Sequence, residues 1–452
     1  MRITFYGGAK LVTGANYLLE DKDFLALVDC GLFQGSRFCE DLNYEPFPYE
    51  PKNIKYVFIT HSHIDHTGRL PKLYKEGFRG KVFSTRPIRD ILEHALPDSL
   101  NHLKREAEEQ NREPIYSFED VGSVIKLFET FDYDQKTDLG NGKYFILHDA
   151  GHILGSSIIE FGWSGGRILF SGDLGNPPTP LLRPTEYIEG VDYVVVESAY
   201  GNRIHENRDE RKEILKTTIE ETIKRGGVLM IPSFAMERTQ ELLFELNEMV
   251  ENKRIPFIPI FIDSPLAIKL TEVYKKHEAY FNKEASYLID SGDDIFKFPG
   301  LYFTSSVEES KSINEVNSPK IIIAGSGMSQ GGRILHHERR YLSDPNSTIL
   351  FVGYQAKGSL GRKILDGEKE VKIFGESILI KCKIKAIGGY SAHADQPGLV
   401  RWVKKASIGE KLKKVFIVQG EEIAMEALSE KLKDEISGLE TVIPSIGDDF
   451  DL

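Results

Sequence analysis

Cysteine is scarce in this sequence: Cys30, Cys39 and Cys382 are the only three in 452 residues, and no C-x-x-C pair occurs. So few, at such spacing, exclude a disulfide framework or a cysteine-based zinc site and fit a reducing, cytoplasmic setting. Long apolar runs are missing too. No stretch approaches the roughly 18 residues of a membrane span, so no membrane partner is expected. Met1 to Gly14 lacks the basic-then-apolar order of a signal peptide, and none is expected. Positive charge is in deficit, 57 Lys and Arg against 69 Asp and Glu, for a net charge of −12. That argues against a protein that coats nucleic acid by bulk electrostatics. It leaves open a local groove that grips a few phosphates. Low-complexity tracts and internal repeats are also absent.

What is present is ordinary globular composition, 40% hydrophobic and 28% charged, in a chain long enough for two or three domains. Short β-like runs crowd the first two hundred residues: Ile3 to Tyr6, Tyr17 to Glu20, Phe24 to Asp29, Tyr56 to Thr60, Tyr144 to His148, Ile158 to Phe161, Arg167 to Ser171 and Tyr193 to Glu197. Arg86 to Asn111 reads as a helix that Pro97 should kink or split. From Asp209 helices and strands alternate, the pattern of a mostly parallel α/β sheet. After Leu365 the β-rich style returns. The expected organisation is a β-rich domain over 1–200 and 367–452, interrupted by an inserted α/β domain over 201–366.

One segment carries chemistry. The strand Tyr56-Val57-Phe58-Ile59-Thr60 runs into His61-Ser62-His63-Ile64-Asp65-His66. Histidines two apart on an extended strand end project to one side. A turn into a helix then brings Asp65 and His66 to a neighbouring point. Two nitrogens can serve one metal, and an oxygen and a nitrogen a second. Imidazole and carboxylate suit zinc, Mn2+ or Fe2+. The bland alternative, a surface histidine cluster, is disfavoured because three metal-free imidazoles so close would repel one another when protonated.

H-x-H-x-D-H after an apolar strand resembles the metallo-β-lactamase superfamily. The rest of that pattern follows in order: Asp29 after Ala26-Leu27-Val28, His152 in Gly151-His152-Ile153-Leu154-Gly155, and Asp173 in Ser171-Gly172-Asp173-Leu174-Gly175. Singly, these read as a turn residue, a loop histidine and an Asx turn. Together they look like ligands. The resemblance implies that His61, His63 and His152 hold a first metal and Asp65 and His66 a second. Asp173 would bridge both, and Asp29 would orient a ligand or the metal-bound hydroxide.

Further segments resemble the β-CASP nuclease group: Ile231-Pro232-Ser233-Phe234-Ala235, Asp263-Ser264-Pro265, Gly325-Ser326-Gly327-Met328, Gly331-Gly332-Arg333 and Tyr390-Ser391-Ala392-His393-Ala394-Asp395. The implied fold class is α/β, an αββα metallo-β-lactamase sandwich with an inserted parallel-sheet α/β β-CASP domain. The group's acidic motif falls on Glu197 and its histidine motif on His393. Its V-H-G-E histidine is replaced by Gln419, in Ile417-Val418-Gln419-Gly420-Glu421. A carboxamide oxygen is a weaker zinc ligand than imidazole. Two Zn2+ are therefore expected, the second held weakly if Gln419 ligates it, with Mn2+ as a substitute.

The resemblance implies a metal-dependent ribonuclease that hydrolyses phosphodiester bonds by metal-bound hydroxide and leaves a 5′-phosphate and a 3′-hydroxyl. Asp29, Asp65, Glu197 and His393 are the expected catalytic residues, with His393 protonating the leaving oxygen and Glu197 raising its pKa. The turn after Ile321 to Ala324 can aim N–H groups at a phosphate, which makes Ser326, Gly327 and Arg333 candidate substrate contacts. RNA is the expected partner, and a homodimer the expected assembly. Endonucleolytic cleavage is favoured over 5′→3′ exonuclease action, because the chain ends soon after Gln419. The rivals are a small-molecule metallo-hydrolase and a catalytically impaired RNA-binding relative, to which Gln419 lends support.

Overall fold

A computed structural model describes residues 1–22, 24–205, 210–409 and 411–452. The chain divides into two compact units: Met1–Ile204 with Ala392–Leu452, and His205–Ser391. Among the described residues, no helix is long and apolar enough to cross a membrane.

The first unit holds two seven-stranded sheets. One runs, edge to edge, Asp449–Asp451, Arg2–Gly7, Asn16–Asp21, Phe24–Val28, Tyr56–Phe58, Lys81–Ser84 and Phe128–Thr130. The other runs Glu440–Val442, Lys414–Val418, Tyr193–Glu197, Gly166–Phe170, Ser157–Trp163, Lys143–Asp149 and Thr137–Gly140. Side-chain alternation sorts their faces. Phe58 and Phe83 from the first sheet meet Phe145 and Phe161 from the second, with Phe58 and Phe145 centroids 5.1 Å apart. Val57 and Val82 point the other way, onto a helical layer of Leu70, Leu92 and Leu96. Val194 and Val415 likewise face Leu399, Trp402 and Met425 of the helices Gln396–Ala406 and Glu422–Glu435. The layers are helix, sheet, sheet, helix.

Arg86–Glu109 is one helix of 24 residues running through Pro97, so of the two expected effects, a kink or a split, the split does not occur. A mid-helix proline costs about 3 kcal/mol or more. Ile88, Leu92, Leu96, Leu100 and Leu103 bury one face of this helix. At about 1.5–3 kcal/mol per side chain, that burial outweighs the break.

In the second unit the strands Leu301–Phe303, Ile260–Asp263, Lys320–Ala324, Val228–Pro232, Thr348–Phe351 and Lys383–Ala386 form a parallel sheet in that order. The expected return to the first domain at 367 differs from the structure. The β-like runs after 365 belong here: Glu370–Ile373 and Glu376–Leu379 make a separate hairpin, and Lys383–Ala386 pairs with Thr348–Phe351. Val371, Ile373 and Cys382 pack with Val228, Ile322 and Ile349 in one core. Composition alone could not tell a hairpin added to this core from strands of the sandwich.

Candidate metal centre

In the first unit the strands Gly166–Phe170, Tyr193–Glu197 and Lys414–Val418 run parallel. Glu197 ends its strand, and Asp173 and Gln419 sit just beyond the carboxyl ends of theirs. In the facing sheet, Phe24–Val28 and Tyr56–Phe58 are also parallel and lead into Asp29 and His61. Carboxyl ends of parallel strands are where α/β folds gather ligand groups.

The turn after Tyr56–Phe58 makes the cluster. His63 caps a four-residue helix, Ile64–Thr67, that carries Asp65 and His66. The segment after Asp29 holds this turn: Cys30 donates to the His66 carbonyl at 2.8 Å and Leu32 to that of Ile64 at 2.9 Å. Only glycine fits between them at 31, since a Cβ there would lie 1.5 Å from the Asp65 carbonyl oxygen.

Four donor atoms converge. His61 Nε2 lies 3.0 Å from His63 Nδ1, which lies 3.3 Å from His152 Nε2. Asp173 Oδ2 lies 3.3 Å from His61 Nε2 and 3.5 Å from His152 Nε2. A tetrahedral zinc with bonds of about 2.0–2.1 Å needs donors about 3.3–3.4 Å apart. The spacing and the donor set therefore fit one such ion.

Protonation and orientation agree with that use. Burial holds His61, His63 and His152 below the ordinary imidazole range, the last two well below it. Neutral rings are the form that binds a cation. His152 donates from Nδ1 to the Ala392 carbonyl at 3.2 Å, which turns Nε2 toward the cluster. For His61 the orienting group is Thr60. Its hydroxyl donates to Asp29 Oδ2 at 2.8 Å and lies 3.1 Å from His61 Nδ1. Asp29 also accepts the Thr60 N–H at 2.9 Å and lies 2.7 Å from His66 Nδ1. Asp29 and Gln419 hold positive φ, 60° and 51°, a strained backbone often found at functional sites.

Beside the cluster, Gly175 and His393 form an antiparallel bridge. His393 Nδ1 lies 3.7 Å from Asp173 Oδ2 and 3.1 Å from Oε2 of the fully buried Glu197. Burial opposes charge on the ring, but the carboxylates of Glu197 and Asp173 together outweigh it and push the His393 pKa up to about 9.

Other expected residues stand differently. Among the described residues, clusters of three or more close histidine or carboxylate donors are His61–His63–His152–Asp173, Asp173–Glu197–His393 and Asp134–His148–Glu186. None includes Asp65 or His66. Asp65 Oδ2 stays 3.9 Å from His66 Nε2. Gln419 lies against His66, with Nε2 to Nε2 2.6 Å. In the third cluster His148, although burial opposes it, is pushed up to about 9 by its carboxylate partners, Glu160 first. That imidazolium is itself the cation the carboxylates face.

Ser326, Gly327 and Arg333 lie in the second unit, after the strand Lys320–Ala324. The Ser326 N–H donates to the Gly331 carbonyl at 3.2 Å, and the Gly327 carbonyl accepts from Gln355 at 2.9 Å. The Arg333 guanidinium is bound to Asp263 at 2.7 Å and to the Thr304 and Ser305 carbonyls, which tie it to the fold of this unit.

Comparison with known proteins bears on this centre. Residues 10–192 match the metallo-beta-lactamase superfamily, 239–364 the Beta-Casp domain, and 377–444 the Zn-dependent metallo-hydrolase RNA specificity domain. Ribonuclease TTHA0252 of Thermus thermophilus is 36% identical over 96% of each chain. The chain belongs to the β-CASP branch of the metallo-β-lactamase superfamily. Another β-CASP relative is the transcription termination factor FttA of Methanosarcina mazei, 32% identical over 98% of this chain and 71% of that protein. An RNase J-like protein of Methanocaldococcus jannaschii is 30% identical over 93% of this chain and 92% of its own. A crystal structure of a protein of unknown function from Enterococcus faecalis V583 shares the fold, with TM-score 0.57 at 12% identity over 100% of this chain and 99% of that one.

Sequence reasoning missed Thr60 and the Ala392 carbonyl. Thr60 directly precedes the motif, a position from which a hydroxyl can reach the first histidine. The Ala392 contact is through backbone and leaves no side-chain signal.

Proposed function

We propose that this β-CASP protein is a metal-dependent ribonuclease that cleaves RNA internally, with its ion held by His61, His63, His152 and Asp173. The four-donor cluster standing beside the His393–Glu197 pair carries this reading, and the ribonuclease name of a relative matched over 96% of the chain supports it. Three imidazoles and a carboxylate suit zinc, with Mn2+ as a substitute on the same donors. When bound, such an ion supplies a Lewis acid and lowers the pKa of a coordinated water.

The protein's own groups do the remaining work. Buried, neutral His61, His63 and His152 present lone pairs without losing a proton first. Thr60 and Ala392 fix two of those rings. His393, held protonated by Glu197 and Asp173, donates its proton to the leaving 3′-oxygen, so that the products are a 5′-phosphate and a 3′-hydroxyl. Three free cysteines, two of them buried, fit a cytoplasmic protein.

Covalently closed RNA tests the proposal, because only an endonuclease can cut it. Linear products with a 5′-phosphate, dependent on added Zn2+ or Mn2+, are expected. RNA binding without any cleavage would favour the impaired-relative reading, for which Gln419 is the motive. Trimming only of 5′-labelled linear RNA would make the enzyme an exonuclease.

A further inference from the structure

Gln419 occupies the position from which a second ion would be completed, and its geometry does not suit a ligand there. It follows the strand Lys414–Val418, is 4% exposed, and donates its backbone N–H to the Gly8 carbonyl at 2.7 Å. Its carboxamide is held at both ends. Oε1 accepts from the buried Tyr17 hydroxyl at 3.3 Å, while Nε2 lies 2.6 Å from His66 Nε2 and 3.5 Å from Asp173 Oδ1. Gly8 closes the wall behind it. A Cβ at position 8 would come within 3.1 Å of Gln419 Cγ and 2.7 Å of the Tyr17 hydroxyl.

Two donors of one zinc-sized ion stand no closer than about 2.9 Å in octahedral and about 3.3 Å in tetrahedral geometry. The first cluster, at 3.0 to 3.5 Å, lies above the octahedral limit throughout, and three of its four spacings reach the tetrahedral one. The 2.6 Å between Gln419 and His66 does not; it is a hydrogen bond. Turning the amide end for end changes nothing in this respect. With the ring proton on Nδ1, given to Asp29, His66 Nε2 accepts from the amide nitrogen. With both ring nitrogens protonated, the amide oxygen faces the ring. Either way the end of Gln419 lies along the direction an ion would need. Asp65, the other expected ligand, joins no cluster of three among the described residues.

We propose that this centre is mononuclear: one divalent ion sits on His61, His63, His152 and Asp173, and the Gln419 carboxamide, bonded to His66 and Asp173, takes the place of a second. This rests on the metal-dependent reading above and departs from the two-ion expectation. It makes Gln419 the positioning residue for His66 and for the far oxygen of Asp173.

The test is metal content, independent of RNA cleavage. Wild type, Gln419→His and Gln419→Glu are stripped, reloaded with excess Zn2+ or Mn2+, desalted and measured by inductively coupled plasma mass spectrometry, with electron paramagnetic resonance of the Mn2+ forms. Wild type should retain about one ion per chain and show isolated Mn2+. Either variant, now offering a strong ligand, should retain about two and show spin-coupled Mn2+. Two tightly held, coupled ions in wild type would overturn the proposal. So would a single ion in both folded variants, since Gln419 would then not be what excludes the second. No ion in wild type would defeat the metal-dependent reading as well, whereas one ion without RNA cleavage would defeat only the ribonuclease reading.

Discussion

His393 Nδ1 lies 3.1 Å from Oε2 of Glu197, and the other oxygen of that buried carboxylate accepts the Leu174 N–H at 2.6 Å. One oxygen of the carboxylate is thus anchored to the backbone while the other meets the ring. It positions His393 and favours its protonated form.

Glu197→Gln removes that charge and keeps the shape. Activity that needs protonated His393 is present below its pKa and lost as pH rises through it. An opposite charge at this range shifts a pKa by about 1–3 units. The alkaline limb of kcat should therefore move down in pH by that much, and kcat near neutrality should fall about 10- to 100-fold. An ion on Asp173 lowers the limb in both proteins, so the difference between them is the readout. A lower kcat with an unmoved limb would show that Glu197 only supports the fold.

Thr60→Val keeps the shape of a buried side chain and removes the hydroxyl between Asp29 and His61. Groups that orient a ligand typically matter about 10- to 100-fold in metal affinity. A weakening of that size in competition with a chelating dye is expected, with little change in melting temperature. Unchanged affinity would show that His61 is oriented without Thr60.

In the second unit Asp263, with its side chain fully buried, accepts from Arg333 at 2.7 Å, Ser310 at 2.7 Å and Thr304 at 2.8 Å, and lies 2.7 Å from His337 Nε2. Asp263→Ala removes the carboxylate that Arg333 and His337 share and should cost about 3–5 kcal/mol. Burial alone would raise the Asp263 pKa; its four partners outweigh it and hold the value down at about 2. A depressed carboxylate contributes its stability in full above the ordinary carboxylate range and loses it as pH falls toward the folded value. Urea melts of wild type and Asp263→Asn should therefore converge between about pH 4 and pH 2. A constant gap across that window would contradict the assignment.

The fold class and the His61–His63 part of the four-donor cluster were legible because both rest on local pattern. Eight strands of the sandwich announce themselves as apolar runs, and His61-Ser62-His63 follows one of them directly. His152 and Asp173 read as candidate ligands only through their order in the chain, since nothing local marks either. The bond from Arg333 to Asp263 is not legible in sequence, because its partner is 70 residues away and buried. The hairpin after Leu365 was assigned to the wrong unit because a strand's sequence does not say which sheet it joins. Gln419 stood out as a departure, but that its amide would press on His66 depends on Tyr17 and Gly8 meeting it across the fold.

The most direct measurement is a parallel titration of chelator-stripped protein with Zn2+, following bound ion and single-turnover RNA cleavage together, in wild type and in His152→Ala of matched melting temperature. Cleavage should rise in step with the ion held by wild type and stay absent in the variant, which should hold that ion far more weakly. Full cleavage by the stripped protein, or equal cleavage by His152→Ala, would contradict the account.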